Sequence, residues 1–318
     1  MQLSHQLRGL LDAQRDYVTR SQLNDCGMTK EDTDTLLRAG QLRKVWRGIY
    51  ARTARPDSDA ARSLDRARAI AITYGGNALV SHEIALLAHE LPTYATGLRQ
   101  ATLVRLTSGD TVRTRDLHIR RTSRALPSTY IDAAPVVTEA IAFAQVGCAL
   151  GTDAAVVAAD AILHRGSSSV EDLHAAIRTL SPTRGIARAR VAIDLLDQNA
   201  ESPGESQLRL LVRGAGIPIQ SQFVVRNAGG RFVARVDFLV KGTRIALEYD
   251  GYEKYDAREQ DRDESAQRLY DEKLRQEAVA RQGYVVIRAI AADLRDPGPL
   301  LHRLHRVIAE HTAQCRVS

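Results

Sequence analysis

The sequence predicts a multi-domain α+β protein, and three observations carry that reading. The chain has 318 residues, more than one hydrophobic core usually organises. Its composition changes near Pro56 and again near Asn199, which divides it into zones 1–56, 57–199 and 200–318. Each zone mixes helical apolar spacing with short extended stretches. Apolar residues make up 44% and charged residues 26%, as in a soluble globular chain, so a disordered or fibrous one is excluded. Aromatics reach only 5%, which leaves the cores to Ala, Leu, Val and Ile.

In the first zone, "LSHQLRGLLDAQ" has apolar residues at helical spacing. "TRSQLNDCG" offers Thr19 as an N-cap and Gly27 as a stop. "TKEDTDTLLRAG" repeats the device, with Thr29 as cap, acids in the first turn and Gly40 as stop. Two extended pieces follow, "QLRKVW" and "GIYART". Three helices and then a β-hairpin is the element order of a winged helix-turn-helix. Six Lys/Arg and no acid lie between Arg38 and Arg55, a run that also holds Trp46, the single tryptophan. A basic hairpin of this kind suits the phosphates of DNA.

The second zone opens with two helical stretches, "SDAARSLDRARAIAITYG" and "SHEIALLAHEL". Next come two strand-like ones, "ATLVRLT" and "LHIRRTS", and then four Ala-rich helical ones, beginning with "TEAIAFAQVGCAL". The expectation is a mostly helical α+β middle without a catalytic pattern. Seven Arg and two Asp between Arg99 and Arg124 make that segment a second candidate for phosphates.

The third zone reads αβββαβα, starting from "SPGESQLRLLVRGAG" with Pro203 at the first helical position. In "RVDFLV", alternation sets Val236, Phe238 and Val240 on one face and Asp237 on the other. In "RIALEYD", Glu248 and Asp250 share a face. A hairpin turning near Gly242 brings Asp237 close to Glu248, so Asp237, Glu248 and Asp250 are the expected metal ligands. An all-oxygen set of this kind suits Mg²⁺ or Mn²⁺. Glu205 on the preceding helix and Lys254 just beyond the strand complete the catalytic candidates, the lysine as a cation for developing phosphorane charge. Arg275, on the charged helix that follows, is a secondary candidate. Taken alone, an acid pair at a strand end is a solvated feature; the element order around it changes that weighting.

These residues carry two resemblances. "ESPGES", "VDF", "EYDGYEKY" and "DEKLRQEAVARQGYVVIR" resemble the PD-(D/E)XK nuclease superfamily, in the branch related to very-short-patch-repair endonucleases. The resemblance implies a restriction-endonuclease-like domain with Glu205, Asp237, Glu248, Asp250 and Lys254 at its site. The E-x-K tripeptide is absent, since Tyr249 and Asp250 follow Glu248, and the basic position falls instead at Lys254. "YVTRSQLNDCGMTKEDTDTLLRAGQLRKVWRGIY" resembles the N-terminal winged helix of AbiEi-type, type IV antitoxins, and "ALVSHEIALLAHELP" resembles their middle region. That likeness implies DNA contacts from Thr19, Ser21 and Gln22 at the second helix and from Arg43, Lys44, Arg47 and Tyr50 in the wing. It also implies a toxin protein as a partner.

Cys26, Cys148 and Cys315 have no zinc-ligand spacing, and their odd number argues against a disulfide framework, so free thiols in a reducing cytoplasm are expected. The start of the chain lacks a signal-peptide pattern, and its longest apolar region is interrupted by Glu139, Asp153 and Asp160, so no membrane association is expected. A formal net charge of +6 agrees with a polyanionic partner. The functional expectation is a DNA-binding protein whose last domain hydrolyses phosphodiesters with Mg²⁺. The alternative is a non-catalytic autoregulator or antitoxin.

Overall fold

The structure is a computed structural model that describes residues 4–94, 98–106, 111–251 and 262–317. It is multi-domain, mixed α+β, and divides into two compact units, Met1–Leu196 and Asp197–Ser318.

The first unit begins with α1 (His5–Ala13), β1 (Tyr17–Thr19), α2 (Arg20–Asp25), α3 (Lys30–Arg38), β2 (Arg43–Trp46) and β3 (Ile49–Ala51). Side chains fix the helix starts: Ser4 accepts from the Leu7 amide, and Thr19 with Gln22 and Thr29 with Asp32 form capping boxes. Leu7, Leu11, Val18, Leu23, Leu36 and Leu42 form the core between the helices and the sheet. The sequence shows the hairpin β2–β3 but not β1, which pairs antiparallel with β3 and makes a three-stranded sheet of order β1-β3-β2. A three-residue strand is too short to show a period.

The unit continues with α4 (Asp59–Thr73), β4 (Ala78–Val80), α5 (His82–Ala88), β5 (Ala101–Arg105), β6 (Val112–Arg113), β7 (Leu117–Arg121), β8 (Ser128–Ile131) and β9 (Ala134–Val137). These strands form a six-stranded mixed sheet of order β6-β7-β5-β4-β9-β8. It is larger than the two strands read from the sequence. The missed hairpin β8–β9 turns on Asp132 and Ala133 at φ 49° and 62°, a left-handed pair that the Asp-Ala dipeptide does not advertise. Helix α4 packs against both sheets. Four helices close the unit: α6 (Glu139–Leu150), α7 (Thr152–Arg165), α8 (Val170–Leu180) and α9 (Ile186–Ile193). Every residue of α6 from Ala140 to Gly147 is buried, as an apolar helix enclosed by neighbours must be. At Gly147 a Cβ would lie 2.8 Å from the Ala189 Cβ, so the missing side chain lets α6 and α9 approach.

The second unit comprises α10 (Pro203–Gly214), β10 (Ile219–Arg226), β11 (Phe232–Val240), β12 (Ile245–Asp250), α11 (Arg262–Arg281), β13 (Val285–Ile290), α12 (Ala291–Arg295) and α13 (Gly298–Val317). The strands lie in sequence order, antiparallel except for the β12–β13 pair, which is parallel with α11 between its strands in the chain. The short α12 is an addition to the αβββαβα reading. Leu208, Val212, Phe238, Val240, Ile245, Leu247, Ile287 and Leu304 form the main core.

One expectation from alternation is corrected. Val236 does not share the cluster of Phe238 and Val240; it packs with Val225 and Ala246. The β10–β11 pairing passes from Ser221–Phe238 to Phe223–Val236 and skips Gln222, whose φ is 50°. That break in the pleat lies opposite Asp237.

Among the described residues, no helix is long and apolar enough to cross a membrane.

Candidate functional site

The acidic site draws on the start of α10, the interior of β11 and the second half of β12. Ser202 caps α10 and accepts from the Glu205 amide at 3.2 Å. The Glu205 carboxylate accepts from the Ser202 hydroxyl at 2.8 Å, from the Glu201 amide at 3.1 Å and from Gln222 Nε2 at 3.1 Å. Glu205 is therefore buried and ties the helix start to β10. Gly204 lets this turn rest on β12, because a Cβ there would fall 1.9 Å from the Tyr249 ring.

Asp237 lies half-buried on β11, and its Oδ2 accepts from the Tyr249 amide at 2.7 Å. The β11–β12 ladder pairs Leu239 with Ala246 and Phe238 with Leu247 and ends there, one residue short of Asp237 and of Glu248. Burial pushes the Asp237 carboxyl up to about 6. The Tyr249 amide opposes this, Glu205 and Glu248 reinforce it, and Arg275 opposes it more weakly. The carboxylates of α10, β11 and β12 thus act on one another.

Glu248 is 7% exposed, and both its oxygens are held by Arg275 of α11, Nη1 to Oε1 at 2.8 Å and Nη2 to Oε2 at 3.0 Å. This is the fork-to-fork geometry of a strong Arg–carboxylate pair. Arg288, beside Glu248 in the parallel β12–β13 ladder, places Nε 3.8 Å from Oε2. Asp250 stands half-buried at the end of β12, in register with Ile290, and is not among the charges that shift Asp237. Lys254 lies outside the described residues. Among the described residues, no group of three His, Cys, Asp or Glu is gathered tightly enough to hold a metal ion. The donor chemistry still fits a hard divalent cation: all candidate ligands are carboxylates, and a cation would offset the burial, and then the repulsion from Glu205 and Glu248, that raise Asp237. Using Glu248 requires Arg275 to give up its pair.

At the N-terminal hairpin, Arg43 turns inward. Its guanidinium meets Asp65 of α4 at 2.9 and 2.8 Å and donates to the Thr53 carbonyl at 2.7 Å. Tyr17 donates to the same Asp65 at 2.7 Å, and burial together with that carboxylate raises the phenol pKa. Thr19 and Gln22 form the α2 capping box, with Gln22 also bonded to Gln14. Tyr50 packs half-buried against the core. Ser21, Lys44 and Arg47 are exposed. The acids at the start of α3 include Asp32, whose carboxylate caps Thr29 and is held below its usual pKa by those bonds.

No family model matches the chain. The chain is similar to two uncharacterized proteins of Mycobacterium tuberculosis, Rv2248 of strain H37Rv and MT2308 of strain CDC 1551 / Oshkosh. Each is 28% identical over 301 residues, which is 92% of this chain and 100% of the relative.

Sequence reasoning missed Gln222 and Arg288 and gave Arg275 only a secondary place. The signal for Arg288 was present: it is the one charge in the apolar stretch "YVVIRAI". Gln222 carried no signal, because its role depends on a left-handed backbone conformation that a glutamine does not announce.

Proposed function

We propose that the protein binds DNA and that its second unit is a PD-(D/E)XK-type domain that hydrolyses phosphodiesters with Mg²⁺ or Mn²⁺. The observation that carries this reading is the gathering of Asp237, bonded to the Tyr249 amide, with the buried Glu205 and Glu248, where burial and the two acids push its carboxyl up to about 6. A strand end that crowds acids gains nothing in stability from doing so; a cation site does. Asp237 and Glu248 would hold the metal, with Asp250 at the rim. When bound, the metal would polarise the phosphoryl oxygens and lower the pKa of a coordinated water. The Tyr249 amide fixes one Asp237 oxygen. Glu205, tied to Ser202, Glu201 and Gln222, orients the neighbouring backbone and adds negative field. The first unit would act as an AbiEi-like winged helix in the cytoplasm, docking through the exposed Lys44 and Arg47.

The bidentate Arg275–Glu248 pair favours an alternative, in which the nuclease-like fold grips DNA without cutting it. The protein would then be an autoregulator or an antitoxin with a toxin partner. Incubation with plasmid and single-stranded DNA in Mg²⁺ or Mn²⁺ separates the two. Cleavage that disappears in Asp237→Ala supports the nuclease; DNA retention without cleavage in any metal supports the binder.

A further inference from the structure

The middle sheet gathers another set of charges, all of one sign. His118 and Arg120 are two residues apart on β7 and so share a face, and Arg113 of the edge strand β6 is paired opposite His118. Thr102 and Val104 of β5 lie beside His118 and Arg120 in the parallel ladder. Arg113 is exposed, while His118 and Arg120 are half-buried. The Arg120 Nε is buried without a hydrogen-bond partner. An orphaned guanidinium N–H is costly, and in native proteins it calls for an explanation.

No carboxylate of the described residues is among the charges that shift His82, His118 or Arg120. Among the described residues, the charges acting on His118 are Arg120 and Arg113, and those acting on the buried His82 are Arg120 and His118. Arg120 feels Arg113 and, favourably, the Cys148 thiol; Cys148 feels Arg120 and Arg188 of α9. Neighbouring arginines show the contrast. Arg99 is paired with Asp59, and Arg124 donates to the carbonyls of Thr179 and Pro182. Arg121, next to Arg120, faces the other side of the sheet and is exposed.

We propose that Arg113, His118 and Arg120 form a binding site for a phosphate group at the β6 edge of the middle sheet, where Arg113 is exposed. A half-buried guanidinium, a second, exposed arginine and an imidazole N–H match the tetrahedral oxygens of phosphate. The phosphate comes either from a nucleic-acid backbone or from a free phosphate compound, and the chemistry of recognition is shared. The site is separate from the acidic site of the second unit and does not depend on its activity.

The test uses the full-length protein and inorganic phosphate, with binding followed by ³¹P line broadening at constant ionic strength. Arg120→Ala and Arg113→Ala are each expected to weaken binding about tenfold, the loss of one charge-assisted hydrogen bond. Arg121→Ala removes the same charge from the opposite face and is expected to leave binding unchanged. Equal weakening by Arg121→Ala, or no weakening by either site variant, overturns the proposal. If Arg120→Ala fails to fold, the exposed Arg113→Ala decides alone. A short DNA duplex is then added. Displacement of phosphate assigns the site to a nucleic-acid backbone, and retention assigns it to a free phosphate compound.

Discussion

In sequence, the N-terminal basic hairpin and the acids of β11 and β12 are alike, each a set of charges of one sign on paired strands. The structure treats them in opposite ways. At the hairpin, Arg43 is neutralised within the protein by Asp65, with Tyr17 and Thr53 completing the network. At the acidic site, Arg275 neutralises Glu248, but Asp237 has one backbone amide and the more weakly acting Arg275 against burial and two neighbouring acids. A charge that has found its partner is architecture. A charge left under strain points to a partner from outside.

The largest effect that could break this contrast is on catalysis. Asp237→Ala is expected to reduce DNA cleavage in Mg²⁺ by about a thousandfold or more, because the group would take part in metal-borne charge stabilisation worth several kcal/mol. The fold should persist, as judged by an unchanged far-ultraviolet dichroism spectrum. Wild-type cleavage by the variant would remove Asp237 from the chemistry.

The next effect belongs to the hairpin. Arg43→Ala leaves Asp65, whose side chain is 11% exposed, without its guanidinium. The expected cost is about 3 kcal/mol, the range for breaking a buried ion pair by removing one partner. Chemical denaturation of the first unit's transition measures it. The double variant Arg43→Ala/Asp65→Ala should recover part of the loss, since no unpaired acid remains.

The sequence made the acids legible and their counter-charges illegible, for a physical reason. The Gly242 turn joins the strands that carry Asp237 and Glu248, which act on each other, but strict alternation breaks at Val236. Asp65 for Arg43 and Arg275 for Glu248 depend on how helices pack onto sheets, which no local spacing encodes. The helices of the first zone were legible through Thr19, Thr29, Gly27 and Gly40. The β8–β9 hairpin was not, because Asp132 and Ala133 adopt left-handed angles without a glycine.

A smaller effect sharpens the reading of Asp237 by pH. Its folded pKa, about 6, lies above the unfolded carboxylate value, so the folded state holds its proton more tightly. The contribution to stability is favourable at low pH and is lost as pH rises through about 6. Asp237→Asn removes the titration, so the variant should be more stable than wild type at pH 7 to 8, by up to about 3 kcal/mol. The gap should close below about pH 3, where the wild-type carboxyl is protonated in both states. Saturating Mn²⁺ should flatten the wild-type curve if the cation seats against this carboxylate. A variant with no stability advantage at high pH would show that the crowding of acids is harmless to the fold.

The smallest effect concerns the exposed hairpin charges. Lys44 and Arg47 are solvent-facing, unlike Arg43, so removing them takes nothing from the core. If they meet DNA phosphates, each alanine replacement should reduce the slope of log affinity against log salt by about 0.9, the yield of one released counterion. Binding should weaken to a similar extent on unrelated sequences, because phosphates carry no base identity. Thermal stability should stay within about 0.5 kcal/mol of wild type, as for surface substitutions that break no cap or pair. Arg43→Ala therefore reads out in stability, and Lys44→Ala with Arg47→Ala reads out in salt dependence. A double variant with an unchanged slope would take the hairpin out of the DNA surface. The Arg113–Arg120 face would then be the next basic surface to test, because no carboxylate of the described residues is among the charges that act on His118 and Arg120.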